Sequence, residues 1–193
     1  MEFRSQYKFS EYSTTWPSEF AAEAVRLRVL LKEELVAVHH IGSTSVPGLA
    51  GKATIDLLPE VLTVEYLDAA GGAILQQAAY RSWGEYGLSG RRLFTKDRDN
   101  VRTHNLHFYR HGDPDIERHL AFCAYLRAHE KVRDDYAALK RALYVQHPAD
   151  ITAYSAGKDA WIKPYERLAI EWYRREGKAP HTQPMCFDSR SDL

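Results

Sequence analysis

Residues 39–58 read HHIGSTSVPGLAGKATIDLL, a stretch that passes from one apolar run to another through a loop of small residues. The run at 35–41, LVAVHHI, is short and contains several β-branched residues, which predicts a strand. The run at 53–61, ATIDLLPEV, predicts a second strand that holds one carboxylate, Asp56. The glycine-punctuated loop between them, 42–52, is expected to expose backbone N–H groups.

A loop of this kind can cradle phosphate groups, because its N–H groups and hydroxyls donate hydrogen bonds to an anion. The residues that can meet a phosphate here are Gly42, Ser43, Thr44, Ser45 and Lys52. Asp56, fixed on a rigid strand opposite the loop, is a natural ligand for Mg²⁺ or Mn²⁺ together with substrate phosphates. The alternative interpretation is a tight turn of small residues beside a surface aspartate, since short Gly-Ser motifs are weak signals.

The remainder of the N-terminal half predicts helices around these strands. A helix begins near Pro17, where a proline is favourable in the first turn. A second helix is predicted at 64–79, weakened by Gly71-Gly72. Pro59 lacks a ladder donor, so the strand that holds it is expected to be an edge strand or to end there.

The middle of the chain predicts antiparallel strands, and helices follow it. The strands are expected at 80–86, 91–96 and 103–110, with a turn at 96–100 between the last two. Asp113 is a favourable N-cap in front of Pro114, so a helical region begins there.

The last predicted helix is expected to be capped by Ser155 and kinked or restarted at Pro164. The order of elements indicates an α+β or mixed α/β fold with a C-terminal helical part. We expect one domain over 1–176 and a disordered tail over 177–193.

Composition narrows the classes of partner and compartment. The 193 residues include 26 basic and 26 acidic side chains, so extended nucleic acid is not an expected partner. Cys123 and Cys186 are far apart and form no ligand spacing, which favours a reducing, cytoplasmic compartment. The N-terminal residues show no signal-peptide pattern. No apolar run reaches the roughly 18 residues that a membrane span needs.

The opening stretch resembles the signature of the nucleotidyltransferase superfamily, the DNA polymerase β-like fold, and more narrowly the GrpB family. Further blocks of the chain agree with the GrpB family in the same order. They are YSTTWPSEF (12–20), GEYGLSGRRLF (84–94), THNLHFY (103–109), LAFCAYLRAHEKVRDDYAALKRAL (120–143) and YSAGKDAWI (154–162). The resemblance covers roughly residues 10–172 and implies a nucleotidyltransferase-like fold that binds a nucleotide or a phosphorylated small molecule.

The chain departs from the superfamily pattern at the metal ligands. Nucleotidyltransferases use two carboxylates two residues apart on one strand, because both then face the same side and hold metal ions about 4 Å apart. The second position here is Leu58, and the strand expected to supply a third carboxylate, THNLHFY, has no acid. In a regular strand Asn105 and His107 share a face that can turn toward Asp56.

For most of the other candidate residues, a structural role is the alternative to a functional one. His107 is expected to orient or deprotonate an acceptor, or else to be a hydrogen-bonded ring in the sheet. Glu85 is a candidate for the missing metal ligand. Arg92, with its neighbour Arg91, is a candidate phosphate ligand or part of a solvated hairpin. Lys158, expected at the start of the last helix, meets a phosphate at the helix N-terminus or is an exposed lysine.

Two functions follow from these observations. The first is a Mg²⁺-dependent enzyme that transfers a nucleotidyl or phosphoryl-type group to a small acceptor, with Asp56 at the metal. The second is a non-catalytic module that keeps the phosphate loop and binds a nucleotide or phosphometabolite. Leu58 favours the second function, and analogy with the fold favours the first.

Overall fold

The structure, a computed structural model, describes residues 8–176 and 185–186. The strands of this part are β1 (Phe9–Ser10), β2 (Leu35–Ile41), β3 (Gly51–Lys52), β4 (Ile55–Val61), β5 (Arg81–Ser82), β6 (Arg92–Arg98), β7 (Val101–Arg110) and β8 (Met185–Cys186). The helices are α1 (Trp16–Leu31), α2 (Glu65–Asp68), α3 (Ala70–Gln77), α4 (Pro114–Ala128), α5 (Glu130–Gln146) and α6 (Ile151–Arg175). The α+β class predicted from the sequence is confirmed.

The main sheet places the opening stretch near its centre. Its strand order in the described chain is β5-β6-β7-β4-β2-β8, and β1 pairs separately with β3. Strands β4 and β7 are parallel, whereas the pairs β2–β4 and β6–β7 are antiparallel. The parallel register sets Asp56 opposite Asn105. Residues from two distant parts of the chain therefore meet at one level of the sheet.

The two faces of the sheet are covered by different helices. The first face, which includes Leu57 and Leu106, packs in a buried apolar cluster with α1 and α3. The second face, which includes Leu58 and Tyr109, packs with residues of α4 and α5. Because side chains alternate along a strand, Asp56 and its neighbours of the same parity lie on the second face, under the C-terminal helices.

Strand β4 does not lie at an edge, contrary to the expectation from Pro59. It runs between β7 and β2, and Pro59 pairs with Val38 of β2. The register with β7 passes from Leu57 opposite Leu106 directly to Glu60 opposite Tyr109. The missing N–H of Pro59 therefore falls where the parallel ladder is interrupted, so an interior proline is tolerated.

The segments around the central strands differ in detail from the sequence expectation. The helix expected at 64–79 is divided at Ala69, whose backbone (φ −124°, ψ −114°) is not helical. The strand expected at 80–86 is limited to Arg81–Ser82. The turn expected between β6 and β7 is present as Asp99 and Asn100, both with positive φ, as a two-residue hairpin turn requires.

The C-terminal helices confirm one predicted cap and correct another. The Asp113 side chain accepts a hydrogen bond from the Asp115 backbone N–H, as expected at the start of α4. Ser155 does not cap α6, because the helix begins at Ile151 and Asp150 accepts from the N–H groups of Thr152 and Ala153. Pro164 lies inside α6, which continues past it without a restart.

The C-terminal residues are described only in part. Most of the predicted tail, 177–184 and 187–193, lies outside the described residues, and Met185–Cys186 pairs with β2 at Ala37 and Val38. Among the described helices, none is both long enough and apolar enough to cross a membrane.

The position of the α6 cap can be tested by paired substitutions. We expect Asp150→Ala to lower the free energy of unfolding by about 1 kcal/mol, because two backbone N–H groups lose their acceptor. Ser155→Ala, the matched control inside the helix, is expected to change it by less than about 0.5 kcal/mol. Urea unfolding measures both, and a larger loss from Ser155→Ala would contradict the assignment.

Candidate functional site

The loop after β2 is shaped by Gly42. This residue has φ +69°, and a Cβ built on it would lie 3.0 Å from the Cβ of Asp56 and closer still to Oδ2. Residues Ser43–Ser45 then form a single 3₁₀ turn. The loop backbone therefore lies directly against the Asp56 carboxylate, and only glycine fits there.

The Asp56 carboxylate is held from β7 by two side chains. Asn105 donates a hydrogen bond from Nδ2 to Oδ1 at 2.7 Å, and His107 Nε2 lies 3.7 Å from the same oxygen. Burial alone would raise the pKa of Asp56, but His107, the Lys52 charge and the Asn105 amide hold it at about 2. Asp56 is therefore ionised at neutral pH, and Asn105 acts as a donor toward it.

Lys140 of α5 lies in the site, although the sequence did not predict it there. Its ammonium group donates to Ser43 Oγ at 2.9 Å, although the residue is only 1% exposed. Burial, aided by the charges of Lys158 and Arg141, lowers the pKa of Lys140 to about 6. A Cβ built on Gly51 would lie 3.3 Å from this ammonium group, so the loop approaches Lys140 closely from that side as well.

Two predicted lysines lie near the same centre. Burial lowers the pKa of Lys52, and it lowers the pKa of Lys158 to about 8 with help from the Lys52 charge. The charge of the Asp56 carboxylate raises the pKa of both lysines and so opposes the effect of burial. Lys158 lies inside α6, with its ammonium group 4.8 Å from the centre of the Tyr154 ring.

The three amino groups of Lys52, Lys140 and Lys158 are called the lysine cluster below. Within the described part of the chain, none of them forms an ion pair with a carboxylate. Asp56 is the acid that influences all three. Lys140 is buried, whereas Lys52 and Lys158 are half-buried. When the three amines are protonated, one shared carboxylate leaves an excess of positive charge, which is the electrostatic condition for binding an anion.

The other two hydroxyls of the loop are used within the protein. Thr44 Oγ1 pairs with His40 Nε2 at 2.9 Å, and burial lowers the pKa of His40 to about 4, so this ring is neutral at pH 7. Ser45 Oγ donates to the Gly42 carbonyl at 2.8 Å. Arg127 donates to the carbonyl and the hydroxyl of Ser45. Thr44 and Ser45 therefore hold the loop in place, while Ser43 faces the lysine cluster.

Arg92 and Glu85 are not brought to Asp56. Arg92 binds both oxygens of Asp68, at 2.6 and 2.7 Å, and shares the first face of the sheet with Phe94. Glu85 accepts from the Gly90 N–H at 2.8 Å in the loop before β6. Arg92 therefore ties β6 to α2, and its Nη1 lies 3.6 Å from Glu85 Oε1, so both residues are engaged elsewhere.

Arg91 is the arginine that reaches the site. It is buried, and its Nη1 lies 3.4 Å from His107 Nδ1. Its other nitrogens donate to the carbonyls of Glu85 and Tyr86. Because Arg91 donates to Nδ1, the remaining proton of a neutral His107 is on Nε2, which faces Asp56.

The acids expected of a two-metal centre are not assembled here. Leu58 is completely buried in the apolar cluster of the second face. Glu60 is engaged by His39 at 2.5 Å and His111 at 2.6 Å. The described residues contain no group of three or more His, Cys, Asp or Glu that could hold a metal ion. The donor set around Asp56 therefore does not fit a two-metal site.

Lys140 and Arg127 are the site residues that sequence reasoning missed. Lys140 lies four residues after Tyr136 and three before Leu143, so it falls on the buried stripe of α5. A lysine on an apolar stripe was the available signal. Nothing in the helical pattern indicates that Arg127 turns toward Ser45, because that contact joins residues 82 positions apart.

Known proteins are similar to this chain over most of its length. The family model described as GrpB protein matches residues 6–167. The UPF0157 protein YqkA of Bacillus subtilis is 41% identical over 181 residues, which are 94% of this chain and 52% of YqkA. The chain therefore spans about half the length of that relative.

Solved structures agree with this relationship and with the fold. The crystal structure of the conserved protein GrpB from Enterococcus faecalis matches with a TM-score of 0.81 and 40% identity, over 86% of this chain and 99% of that one. The GLD-2/RNP-8 complex matches with a TM-score of 0.53 and 12% identity, over 85% of this chain and 61% of that one. The second likeness concerns the fold alone. The nucleotidyltransferase-like fold predicted from the sequence is confirmed.

The contact between Gly42 and Asp56 can be tested with a matched pair of glycines. Gly42 and Gly87 both have positive φ, but a Cβ on Gly87 would have nothing within 4 Å. Both alanine substitutions carry backbone strain of about 1–3 kcal/mol. We expect Gly42→Ala to lower the free energy of unfolding by at least about 1 kcal/mol more than Gly87→Ala, because it also displaces Asp56. Equal losses in urea unfolding would show that the loop does not press on the carboxylate.

Proposed function

This chain belongs to the GrpB family, and we propose that it binds a nucleotide or another phosphorylated small molecule through the phosphates of that molecule. The lysine cluster carries the proposal, because its three amines, one buried and two half-buried, share one acid, Asp56, and one of them, Lys140, donates to the Ser43 hydroxyl. A chain of phosphates supplies the negative charge that the site lacks. The balanced net charge of the protein favours a small ligand over extended nucleic acid.

The lowered pKa values of Lys140 and Lys158 mean that ligand binding is coupled to protonation of these amines. In the free protein Lys140, with a pKa of about 6, is largely neutral at pH 7, which limits repulsion within the cluster. An arriving phosphate favours the charged form of each amine and raises its pKa. Ligand binding should therefore draw protons onto Lys140 and Lys158. The site becomes fully charged only when its ligand is present.

A second candidate function is Mg²⁺- or Mn²⁺-dependent nucleotidyl transfer. It is favoured by the ionised Asp56, which lies against Gly42 at the start of the phosphate loop. His107, next to Asp56, would then orient or deprotonate the acceptor. Such an activity would rest on a single carboxylate, because Leu58 is buried and Asn105 already donates to Asp56.

The proposed setting is the cytoplasm, where nucleotides and phosphorylated metabolites are abundant ligands. Cys123 is a buried free thiol, as a reducing compartment permits.

Proton uptake on binding is the first prediction of this proposal. At pH 8, where nucleoside triphosphates are fully ionised, we expect roughly 1.5 protons to be taken up: about half a proton by Lys158 and about one by Lys140. Calorimetric titrations of ATP, GTP, CTP and UTP in buffers of different ionisation enthalpy measure this number. Lys140→Met should reduce it to about 0.5 and weaken binding at least about tenfold.

Controls separate the two candidate functions. Lys131→Met removes an exposed lysine that pairs with Asp135. It should change neither the number of protons taken up nor the affinity for the nucleotide. Binding that persists in EDTA and in Asp56→Asn favours the binding function. Binding that needs Mg²⁺ or Mn²⁺ and is lost in Asp56→Asn, or a nucleotidyl product on any acceptor, would favour the enzyme. No binding of any nucleotide, with or without metal, would contradict the enzyme and would exclude nucleotides as the ligand of the binding function.

A further inference from the structure

A separate cavity borders the loop that carries Ser43. It has a volume of about 290 Å³ and is lined by Pro47, Ala124, Arg127, Ala128 and Arg133. This is about twice the ~150 Å³ of an apolar cavity that accepts benzene. It shares Arg127 with the site described above, but none of the lysine cluster lines it.

Arg127 is one of the two arginines that line this cavity. Its Nε and Nη2 donate to the Ser45 carbonyl at 3.0 and 2.9 Å, and Nη2 also donates to Ser45 Oγ at 2.9 Å. Its third nitrogen, Nη1, is buried and has no hydrogen-bond partner among the described residues. Among the described residues no carboxylate forms an ion pair with Arg127, so its positive charge is available to an anion in the cavity.

Arg133 supplies a second guanidinium to the cavity wall. Its Cζ lies 3.6 Å from a Cβ built on Gly48, next to Pro47. Its Nε pairs with Asp134 at 2.9 Å, and its Nη1 lies 3.9 Å from a Glu130 oxygen. Both carboxylates are largely exposed, so solvent screens them and they neutralise Arg133 only partly.

We propose that this cavity binds a small organic oxyanion with an apolar body, either a carboxylate or a phosphomonoester. The two guanidinium groups recognise the head group, since their planar forks match either oxyanion. Pro47, Ala124 and Ala128 give the apolar body a surface to contact. An anion beside Arg127 is linked to the phosphate loop, because Nε and Nη2 of Arg127 hold Ser45, two residues from Ser43.

The test is an NMR titration of the full chain with benzoate and with phenyl phosphate, and with inorganic phosphate as a probe that lacks the apolar body. We expect at least one aromatic probe to shift the amide signals of Gly48 and Ala128 saturably. Arg133→Gln, which leaves the Ser45 contacts in place, should weaken that binding at least about tenfold. Ala128→Leu should abolish it by filling the cavity. Arg175→Gln, an exposed arginine paired with Glu176, should leave it unchanged.

The outcomes identify the source of the head group and the site that holds it. Binding of benzoate alone assigns an organic acid, and binding of phenyl phosphate alone assigns a phosphomonoester. Persistence of the signal in Lys140→Met shows that this site is independent of the proposed nucleotide site. The proposal is overturned if no probe binds at millimolar concentration, if inorganic phosphate binds as well as phenyl phosphate, or if Arg133→Gln and Ala128→Leu bind like the wild type.

Discussion

The hydrogen bond from the Lys140 ammonium group to Ser43 joins the two halves of this protein. Ser43 belongs to the loop between β2 and β3, whereas Lys140 belongs to α5, 97 residues later. A lysine that is buried this completely is unfavourable unless its charge is stabilised or removed. The site solves this by lowering the pKa of Lys140 to about 6 and by placing its nitrogen beside a hydroxyl. Lys140 is therefore largely neutral in the free protein and can gain a proton, and with it a positive charge, when an anion arrives.

The second constraint is the alternation of side chains in the central sheet. Apolar residues such as Leu57 and Leu106 build the core under α1. The residues that alternate with them along each strand face the C-terminal helices. Asp56, Asn105 and His107 therefore share one surface, and the parallel register brings Asp56 and Asn105 side by side. The same alternation directs Arg92 to the opposite face. Strand geometry thus decides which candidates can take part in one site.

Much of the central region could be predicted from the sequence because its signals are local. The strand at 35–41, the small-residue loop and the shared face of Asn105 and His107 follow from composition and period, and all are present. The interior position of Pro59 could not be predicted in this way, because it depends on the register with β7. The cap of α6 could not be predicted either, because Ser155 and Asp150 are both good capping residues and the local pattern does not distinguish them; the residue that caps the helix is Asp150.

The composition of the candidate site was predictable only in part. Gly42, Ser43, Lys52 and Asp56 lie within one short stretch, so their proximity follows from a single turn. Lys140 depends on how α5 packs against that turn, which no local pattern specifies. Glu85 and Arg92 are the right residue types for metal or phosphate, but a loop and the first face of the sheet direct them elsewhere. Residue type alone cannot decide between such positions.

The most direct measurement is the pKa of Lys140, read from the ¹³Cε chemical shift of selectively labelled lysine, with Lys140→Met to assign the signal. We expect a value near 6 in the free protein and a clear rise when a nucleoside triphosphate is added. A value near that of an exposed lysine, or one that no phosphorylated ligand changes, would contradict the claim that this cluster is an anion site.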